Sequence, residues 1–335
     1  MLNVPLILLI VVFIAAMVFN FTNGFHDTAN AIATVVSTRV LTPAAAITMA
    51  AVLNFAGSFA GTAVAATIGK GIVDPSSVTQ LLVLAALLGA IAWNLITWYL
   101  GIPSSSSHAL IGGIVGATLV SVGFGAMNWA GLSKIILILL VSPLAGLAGG
   151  YLVMLLVSWL FRRASAARVN RYFRRLQLVS SALMAFSHGS NDATKTMGIM
   201  TMALVSYGSL KTFEIPLWVI VLSAVGMALG TAGGGWRIIR TLGSKIITLQ
   251  PVHGFAAETA AAIVIQVATH FGSPLSTTHV IASSIMGVGA SKRFSAVRWG
   301  VAGNMVVAWV LTIPAAAAVA GGSYFVMSSI GNLFR

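Results

Sequence analysis

The sequence predicts an all-α polytopic membrane protein built from two inverted repeats of about five membrane segments each, or 10–12 helices when broken and re-entrant segments are counted. Composition is the first reason, because 58% of the 335 residues are hydrophobic and 7% are charged, whereas roughly 25% of a soluble domain is charged. Apolar runs long enough to cross a bilayer recur along the whole chain. Two polar motifs also occur twice, in the same order.

The apolar runs and the breaks between them predict ten segments. They span about 4–38, 42–69, 76–100, 104–121, 134–160, 177–206, 213–236, 246–270, 274–290 and 297–325. The first run has no basic region before it and leads directly into a polar motif, so it is predicted to be a retained span instead of a cleaved signal peptide.

The net charge of +13 indicates orientation in a membrane and no nucleic-acid partner, because the basic residues lie between apolar runs. The most basic segment, 162–176, is predicted to be a cytoplasmic linker. This assignment places 13 of the 18 basic residues on the cytoplasmic side. It places both chain termini on the outside. The inside set is Arg39, the six arginines of 162–175, Arg237, Arg240, Lys245, Lys292, Arg293 and Arg298. The outside set is Lys70, Lys134, Lys211 and Arg335, and Lys195 lies within the membrane.

An internal repeat joins the two halves. Phe21, Gly24 and Asp27 match Phe186, Gly189 and Asp192 at an offset of 165. The stretches 101–108 and 272–279 match at an offset of 171, as do Gly116 and Gly287. The predicted units are 1–161 for the first repeat and 177–335 for the second. An odd number of segments in each half requires the second repeat to run through the membrane upside down.

The first motif places Asp27 and Asp192 inside apolar segments, where a charge costs at least about 2.5–3.5 kcal/mol, so a transport or relay role is the default hypothesis. Helical spacing brings neighbouring oxygens and nitrogens to one face of each helix, which suits a proton relay or a hard cation such as Na⁺. Gly24 and Gly189 are expected to let the helices break there. The alternative is an ion pair or amide pair that only locks two helices together. The predicted coupling-ion residues are Asp27, Asn30, Thr28, His26, Asp192 and Glu258, and the predicted Na⁺ ligands are Asp27, Asn30 and Asp192.

The second motif is a hydroxyl cluster that follows a proline and precedes an apolar helix. Such a helix N-terminus binds anions through free backbone N–H groups and the helix dipole. Two of them facing each other would suit a tetrahedral oxyanion. Ordinary N-capping explains one hydroxyl per helix but not three or four in succession. The predicted substrate contacts are Ser104, Ser105, Ser106, Ser107, Ser276, Thr277 and Thr278, with Asn191 and Lys195 from the Asp192 motif.

Three further acidic residues and two histidines complete the set of candidates. Glu258 lies inside an apolar segment and is expected to carry a coupling proton or to pair with Lys195. Asp74 and Glu214 fall in outside loops and are expected to be solvated. For His108 and His279, which follow the hydroxyl clusters, packing and direct ligation remain equal alternatives.

Enzyme chemistry and ATP coupling are not expected. The chain lacks a G-x-x-x-x-G-K-[ST] phosphate loop and the H-E-x-x-H and G-x-S-x-G motifs. Ser107 and His108 cannot form a nucleophile–base pair, because adjacent residues on a helix do not face each other. The absence of cysteine excludes a disulfide framework and a thiolate metal site.

At this point the sequence resembles the inorganic phosphate transporter (PiT) family, whose duplicated signature reads approximately G-A-N-D-x-A-N-A. The copies here are residues 24–31 and 189–196, and the variants His26 and Lys195 look like those of bacterial low-affinity phosphate transporters. The resemblance implies a secondary transporter, commonly dimeric, that moves phosphate with H⁺ or Na⁺, in some members as a neutral metal–phosphate complex. By motif, it also implies that the two aspartates and Asn30 and Asn191 are ion or substrate ligands.

The expected function is therefore phosphate symport across the cytoplasmic membrane, without a resident cofactor, by a homodimer that contacts phosphate, the coupling ion and lipid. Lys195 beside Asp192 disfavours a second cation there, which favours proton coupling and makes Asp27 the preferred cation site. A sulfate permease of the same family is the first alternative. Phosphate is preferred because it still carries protons to donate to the buried carboxylates at neutral pH. An anion channel is the other alternative.

Overall fold

The computed structural model describes residues 4–333, and over this range the chain is helical, with no strand. The predicted all-α class is confirmed. The helices are α1 Val4–Ser37, α2 Pro43–Gly57, α3 Ala63–Gly71, α4 Gln80–Leu100, α5 Ser106–Ser121, α6 Trp129–Leu160, α7 Ala166–Tyr207, α8 Leu217–Gly233, α9 Trp236–Arg240, α10 Pro251–His270, α11 Thr277–Lys292 and α12 Trp299–Leu333. A π-helical turn, Thr241–Lys245, extends α9.

Within the described part of the chain, five helices are long and apolar enough to cross a bilayer, namely α1, α4, α6, α10 and α12. A sixth candidate is α8 together with Trp236–Lys245, which are bent by 62° at the break between them. The predicted segment 42–69 is also broken, because α2 and α3 are separated at residues 58–62. Several predicted segments are therefore interrupted, as the range of 10–12 helices allowed.

The predicted segments 104–121 and 274–290 are shorter than a membrane span. Helices α5 and α11 have 16 residues each, or about 24 Å against the about 30 Å of the hydrocarbon core. Both begin at buried hydroxyl residues. Their N-termini therefore lie inside the protein instead of at its surface.

The helices before these two end in the same way. Gly101 and Gly272 adopt left-handed conformations, with φ of 66° and 63°, which favour glycine because a Cβ would be strained. The next residue in each half donates to the helix, with Ile102 N to Thr97 O at 2.9 Å and Ser273 N to Ala268 O at 2.8 Å. These turns send the chain back into the protein interior.

Helix contacts exchange between the halves. Helix α5 packs against α12 while α11 packs against α6, and α1 packs against α8 while α7 packs against α2. Helices α1 and α7 contact each other at the centre. Each of these contacts between the halves therefore has a matching contact, as expected for two related halves. The inverted relation of the halves stays a prediction.

The segment 162–176, predicted to be a basic cytoplasmic linker, is helical from Ala166 onward, because α7 begins there. Its role as a linker between the repeats stays a prediction. The expectation that α1 and α7 break at their glycines was wrong. Neither α1 nor α7 breaks at its glycine. Instead, a Cβ on Gly24 would lie 2.6 Å from Met227 O of α8, and a Cβ on Gly189 would collide with the Asn54 backbone of α2. The glycines therefore permit close helix packing.

The predicted sorting of basic residues agrees with contacts between distant segments. On the face predicted to be cytoplasmic, Arg174 Nη2 donates to Arg39 O at 2.9 Å. On the other face, Lys70 Nζ lies 5.2 Å from the centroid of the Phe213 ring. Asp74 and Glu214 are exposed, as predicted. The orientation itself stays a prediction, and Arg335 lies outside the described residues.

Candidate functional site

The Asp27 carboxylate lies where α1 meets the N-termini of α5 and α11. Ser106 Oγ donates to Asp27 Oδ2 at 2.9 Å, and Thr278 Oγ1 donates to Asp27 Oδ1 at 3.0 Å. His26 Nδ1 is 2.8 Å from Oδ1. One turn along α1, Asn30 Nδ2 donates to Thr278 Oγ1 at 2.9 Å. All of these side chains are buried. Hydrogen bonds from protein side chains therefore replace the hydrogen bonds that water would make to the carboxylate.

The Asp192 carboxylate occupies the matching place on α7. Thr277 Oγ1 is 3.3 Å from Asp192 Oδ2. Lys195 Nζ donates to Asp192 Oδ1 at 2.5 Å and to Ser107 Oγ at 2.6 Å. His188 Nε2 lies 3.4 Å from Oδ2. Every one of these residues is fully buried or nearly so. A buried lysine paired in this way neutralises the carboxylate beside it.

The two centres use equivalent contacts. At the sequence offsets of the repeat, Asn30 corresponds to Lys195 and Thr278 to Ser107, and both pairs are hydrogen-bonded. The centres also converge. Ligand atoms of Asp27, His188 and Asp192 all lie within 4.8 Å of one another, a spacing that could hold a metal ion. Asn30 Oδ1 is buried without a hydrogen-bond partner, and such an oxygen suits a hard cation. Of the predicted set, Asp27 and Asp192 are thus brought together, with His188 added. Asn30 is joined to Asp27 through Thr278, which bonds to both.

The hydroxyl clusters divide into capping and non-capping residues. Ser105 Oγ accepts from His108 N, and Ser276 Oγ accepts from His279 N, each at 3.2 Å. These two residues are therefore helix N-caps in the structure, and their predicted role as substrate contacts stays a prediction. Capping accounts for one hydroxyl in each cluster and leaves the others for the buried site.

The remaining hydroxyls reach other groups of the site. Ser104 Oγ donates to Thr97 Oγ1 at 2.8 Å and lies 3.4 Å from His26 Nε2. Ser107 Oγ donates to Leu275 O at 2.7 Å. The latter bond links the N-terminus of α5 to the segment before α11. The two N-termini therefore meet, and the hydroxyls of their first residues, Ser106 and Thr277, bond to the two aspartates.

His108 and His279 lie behind this junction, with ring centroids 4.5 Å apart. The His279 ring also stacks on Trp309 at 3.9 Å, and Trp309 Nε1 donates to Pro103 O at 3.0 Å. The stacking supports the packing alternative for His279. His108 Nδ1 lies 2.8 Å from Ser105 Oγ, the helix cap.

Glu258 forms a separate buried centre between α1, α7 and α10. Thr34 Oγ1 and Ser180 Oγ make very short hydrogen bonds to its two oxygens, and Gln177 Nε2 donates to Oε1 at 3.1 Å. The expected alternative that Glu258 pairs with Lys195 is wrong, because the Lys195 ammonium is occupied by Asp192 and Ser107. The alternative that Glu258 carries a proton stays a prediction.

Two predicted site residues point away from the aspartates. Thr28 Oγ1 donates to the carbonyls of Gly24 and Thr231, at 2.7 and 3.2 Å, and so joins α1 to α8. Asn191 Nδ2 donates to Thr269 Oγ1 of α10 at 2.9 Å. The coupling role predicted for Thr28 and the substrate role predicted for Asn191 are untested.

Sequence reasoning missed several polar partners. His188 was visible in the second motif, one turn before Asp192, yet its role depends on convergence with Asp27. Thr34 could have been found, since it follows Asp27 at i+7 on the same face of α1. Gln177 and Ser180 carry no such signal, because only the packing of α7 against α10 brings them to Glu258.

The site is closed from both sides by equivalent contacts. Thr67 Oγ1 of α3 donates to Gly272 O at 2.6 Å, and Thr241 Oγ1 of the π-turn donates to Gly101 O at 2.9 Å. Arg237 Nη1 adds a very short hydrogen bond to Tyr99 O beside the second closure. The aspartates are at most 1% exposed. The carboxylates are therefore not in contact with bulk water in this structure.

Similarity to known proteins extends over most of the chain. The sequence profile of the family described as "Phosphate transporter family" matches residues 23–320. The chain is 52% identical over 320 residues to a "Probable low-affinity inorganic phosphate transporter" of Rhizobium meliloti (strain 1021), covering 95% of this chain and 96% of that one. It is 50% identical over 332 residues to a protein of the same description from Bacillus subtilis (strain 168), covering 98% and 99%.

A solved structure described as "The sodium-dependent phosphate transporter" superposes with a TM-score of 0.89 at 28% identity, covering 96% of this chain and 99% of that one. The fold, the duplicated aspartate motif and these matches lead to one identification. The chain belongs to the phosphate transporter family, a family of multi-pass membrane transporters.

Proposed function

We propose that this protein is a secondary active transporter that carries inorganic phosphate together with H⁺ or Na⁺ across the cytoplasmic membrane. The observation that carries the proposal is the direct bonding of Asp27 to both hydroxyl-bearing N-termini, through Ser106 and Thr278. A cation that neutralises Asp27 would release these hydroxyls as donors to an oxyanion. Binding of the cation and binding of phosphate would then favour each other.

Asp27 is the preferred cation site because the second carboxylate already has a cation. Lys195 neutralises Asp192, whereas Asp27 has only hydroxyl donors and His26. The unpartnered Asn30 Oδ1 supplies a further oxygen. The likeness to a structure described as sodium-dependent supports Na⁺, and the buried lysine supports a proton; a metal–phosphate complex would use the same carboxylates.

Phosphate would bind between the N-termini of α5 and α11. Ser107, Thr277 and Lys195 supply donors there, together with the first backbone N–H groups of each helix. Phosphate is favoured over sulfate because a protonated oxygen can donate to a carboxylate. Closure on both sides favours alternating access over a channel. The family resemblance supports a homodimer, and the distribution of basic residues supports termini outside.

Uptake by purified protein in proteoliposomes tests the proposal. Radiolabelled phosphate uptake is measured with Na⁺ and pH gradients imposed separately, and with sulfate and arsenate as competitors. Uphill accumulation driven by one gradient and resistant to sulfate is expected. Sulfate-only uptake would establish the permease alternative, and purely downhill flux would establish a channel.

A further inference from the structure

A second cationic site lies away from the aspartates, at the end of α11. A cavity of about 250 Å³ is lined there by three exposed cationic residues, Lys292, Arg293 and Arg298, and by the buried His253. The hydroxyl-bearing Ser295 also lines it. This face is the one predicted to be cytoplasmic.

No acidic side chain of residues 4–333 forms an ion pair with this cavity. Throughout residues 4–333, the side-chain ion pairs within 4.0 Å are confined to the Asp27 and Asp192 centres. The other acids are Glu258, in its own hydrogen-bonded centre, and the exposed Asp74 and Glu214. Three cationic residues around one cavity, without a paired carboxylate, create a positive potential that attracts anions.

Arg298 is held in place for such a role. Its backbone N–H donates to Ile246 O at 3.0 Å, and Nη1 of its side chain donates to Ser244 O at 3.1 Å. A guanidinium has five N–H donors in a planar fork. Nη1 also donates to Lys245 O at 3.5 Å. The donors on Nε and Nη2 can bind two oxygens of one phosphate group, the geometry for which arginine is preferred.

The first half of the molecule contains a matched turn without the cations. Each half has a 3-10 turn after its short helix, with a Phe ring stacked on the Trp that begins the next helix. The stacked pairs are Phe124 with Trp129 and Phe294 with Trp299. The backbone bond of Arg298 also has its equivalent, from Asn128 N to Ile72 O at 3.0 Å.

In the matched turn, Val122, Gly123 and Asn128 occupy the places of the three cations. Asp74 lies nearby, where its backbone N–H hydrogen-bonds to Ala126 O. Hydrogen bonds to its carboxylate from the backbone and hydroxyl of Ser76 hold the pKa of Asp74 below its ordinary value, so it stays ionised. The fold therefore does not require cations at this turn.

Two ordinary roles of basic residues do not account for Lys292, Arg293 and Arg298 together. A cation in the last turn of a helix stabilises its carbonyl end, which accounts for Lys292 alone. The positive-inside rule accounts for basic residues on this face but not for three of them around one cavity. We propose that the cavity binds a phosphate group, supplied either by inorganic phosphate or by the headgroup of an anionic lipid.

The lipid source is reasonable because the stacked Phe294 and Trp299 beside the cavity are exposed, and such aromatic residues mark the membrane–water interface. Basic pockets between helices on the cytoplasmic side bind anionic headgroups. The free-phosphate source would place an anion-binding site on the predicted cytoplasmic face, apart from the transport site. The inference does not depend on the proposed transport cycle.

A single-cysteine reporter tests the proposal, since the chain has no native cysteine. Ser295→Cys carries an environment-sensitive fluorophore at the cavity, and Gly125→Cys carries it at the matched turn, where a Cβ would meet nothing within 4 Å. One arm titrates inorganic phosphate in phosphatidylcholine nanodiscs. The other raises the phosphatidylglycerol fraction in phosphate-free buffer. We expect a saturable response of the Ser295→Cys reporter in at least one arm, and that arm identifies the source.

Matched variants locate the response. Lys292→Gln with Arg293→Gln should raise the half-saturating concentration by about tenfold or more. Arg162→Gln with Arg163→Gln removes the same charge elsewhere and should leave it unchanged. Asp27→Asn should also leave it unchanged, which separates this site from transport. A response equal at Gly125→Cys, a response lost in Asp27→Asn, or none in either arm would overturn the proposal.

Discussion

The Asp27 and Asp192 centres share a frame and differ in charge. In each, a hydroxyl from the short helix of the same half donates to the carboxylate, through Ser106 and Thr277. The residue three positions after the aspartate bonds to a hydroxyl of the other half. That residue is the neutral Asn30 in one centre and the cationic Lys195 in the other. The duplicated geometry is therefore kept, while a lysine accompanies only one of the two carboxylates.

The largest expected effect comes from removing the negative charge of Asp27, the carboxylate that is not paired with a lysine. Asp27→Asn should reduce gradient-driven phosphate accumulation in proteoliposomes to the level of empty liposomes, because the preferred cation site is lost. Size-exclusion chromatography should show the same folded particle as the wild type, since asparagine can keep a hydrogen bond to Ser106 or Thr278. Accumulation at the wild-type level would reduce Asp27 to a packing residue.

Substitutions at Asn30 and Lys195 test the difference between the Asp27 and Asp192 centres directly. Asn30→Lys should place beside Asp27 the cation that Lys195 places beside Asp192, and so abolish cation-driven accumulation. Lys195→Asn should do the opposite, leaving Asp192 available to a second cation. Removing one partner of a buried ion pair costs roughly 3–5 kcal/mol.

Thermal stability provides a second measurement of the Lys195→Asn variant, independent of transport. The thermal stability of Lys195→Asn should rise with Na⁺ concentration, or with acidity if the proton is the coupling ion, because a bound cation stabilises the folded state. The wild type should show a smaller dependence. Equal dependence of both proteins would contradict the inequality of the two centres.

Close helix packing at the repeated glycines should produce an intermediate effect. Gly24→Ala should destabilise the protein by about 1–3 kcal/mol, because its Cβ would lie 2.6 Å from Met227 O and 3.1 Å from the Gly230 Cα. Gly303→Ala, in α12, is the control, since a Cβ there would meet nothing within 4 Å. Thermal unfolding in detergent measures both. A loss in the control as large as in Gly24→Ala would argue against the packing role.

The smallest effects are expected at the two closures. Thr67→Val and Thr241→Val each remove a hydroxyl that donates to a glycine carbonyl, worth about 0.5–1.5 kcal/mol. Each should raise the access of a thiol reagent to a Cys introduced beside the aspartates, from opposite faces of the membrane. If reagent access increased from the same face in both variants, the two contacts would not close opposite faces of the protein.

Local sequence patterns predicted most of the helices and the main candidates at the site. The apolar runs located α1, α4, α6, α10 and α12, since bilayer thickness sets the length of a spanning helix. The repeat paired Asp27 with Asp192. The same patterns failed where packing decided the outcome. Gly24 and Gly189 were expected to break their helices, yet neighbouring helices at those glycines leave α1 and α7 continuous.

By itself, the sequence determined the membrane class, the duplicated motifs and the difference between Asn30 and Lys195, because these are properties of residue type and spacing. Only the tertiary structure decided that Ser106 and Thr278, 172 positions apart in the chain, donate to the same carboxylate. It also decided that Lys195 pairs with Asp192 and not Glu258. A buried charge takes whichever donors the packed helices bring to it, and their identity depends on helix contacts that no local pattern records.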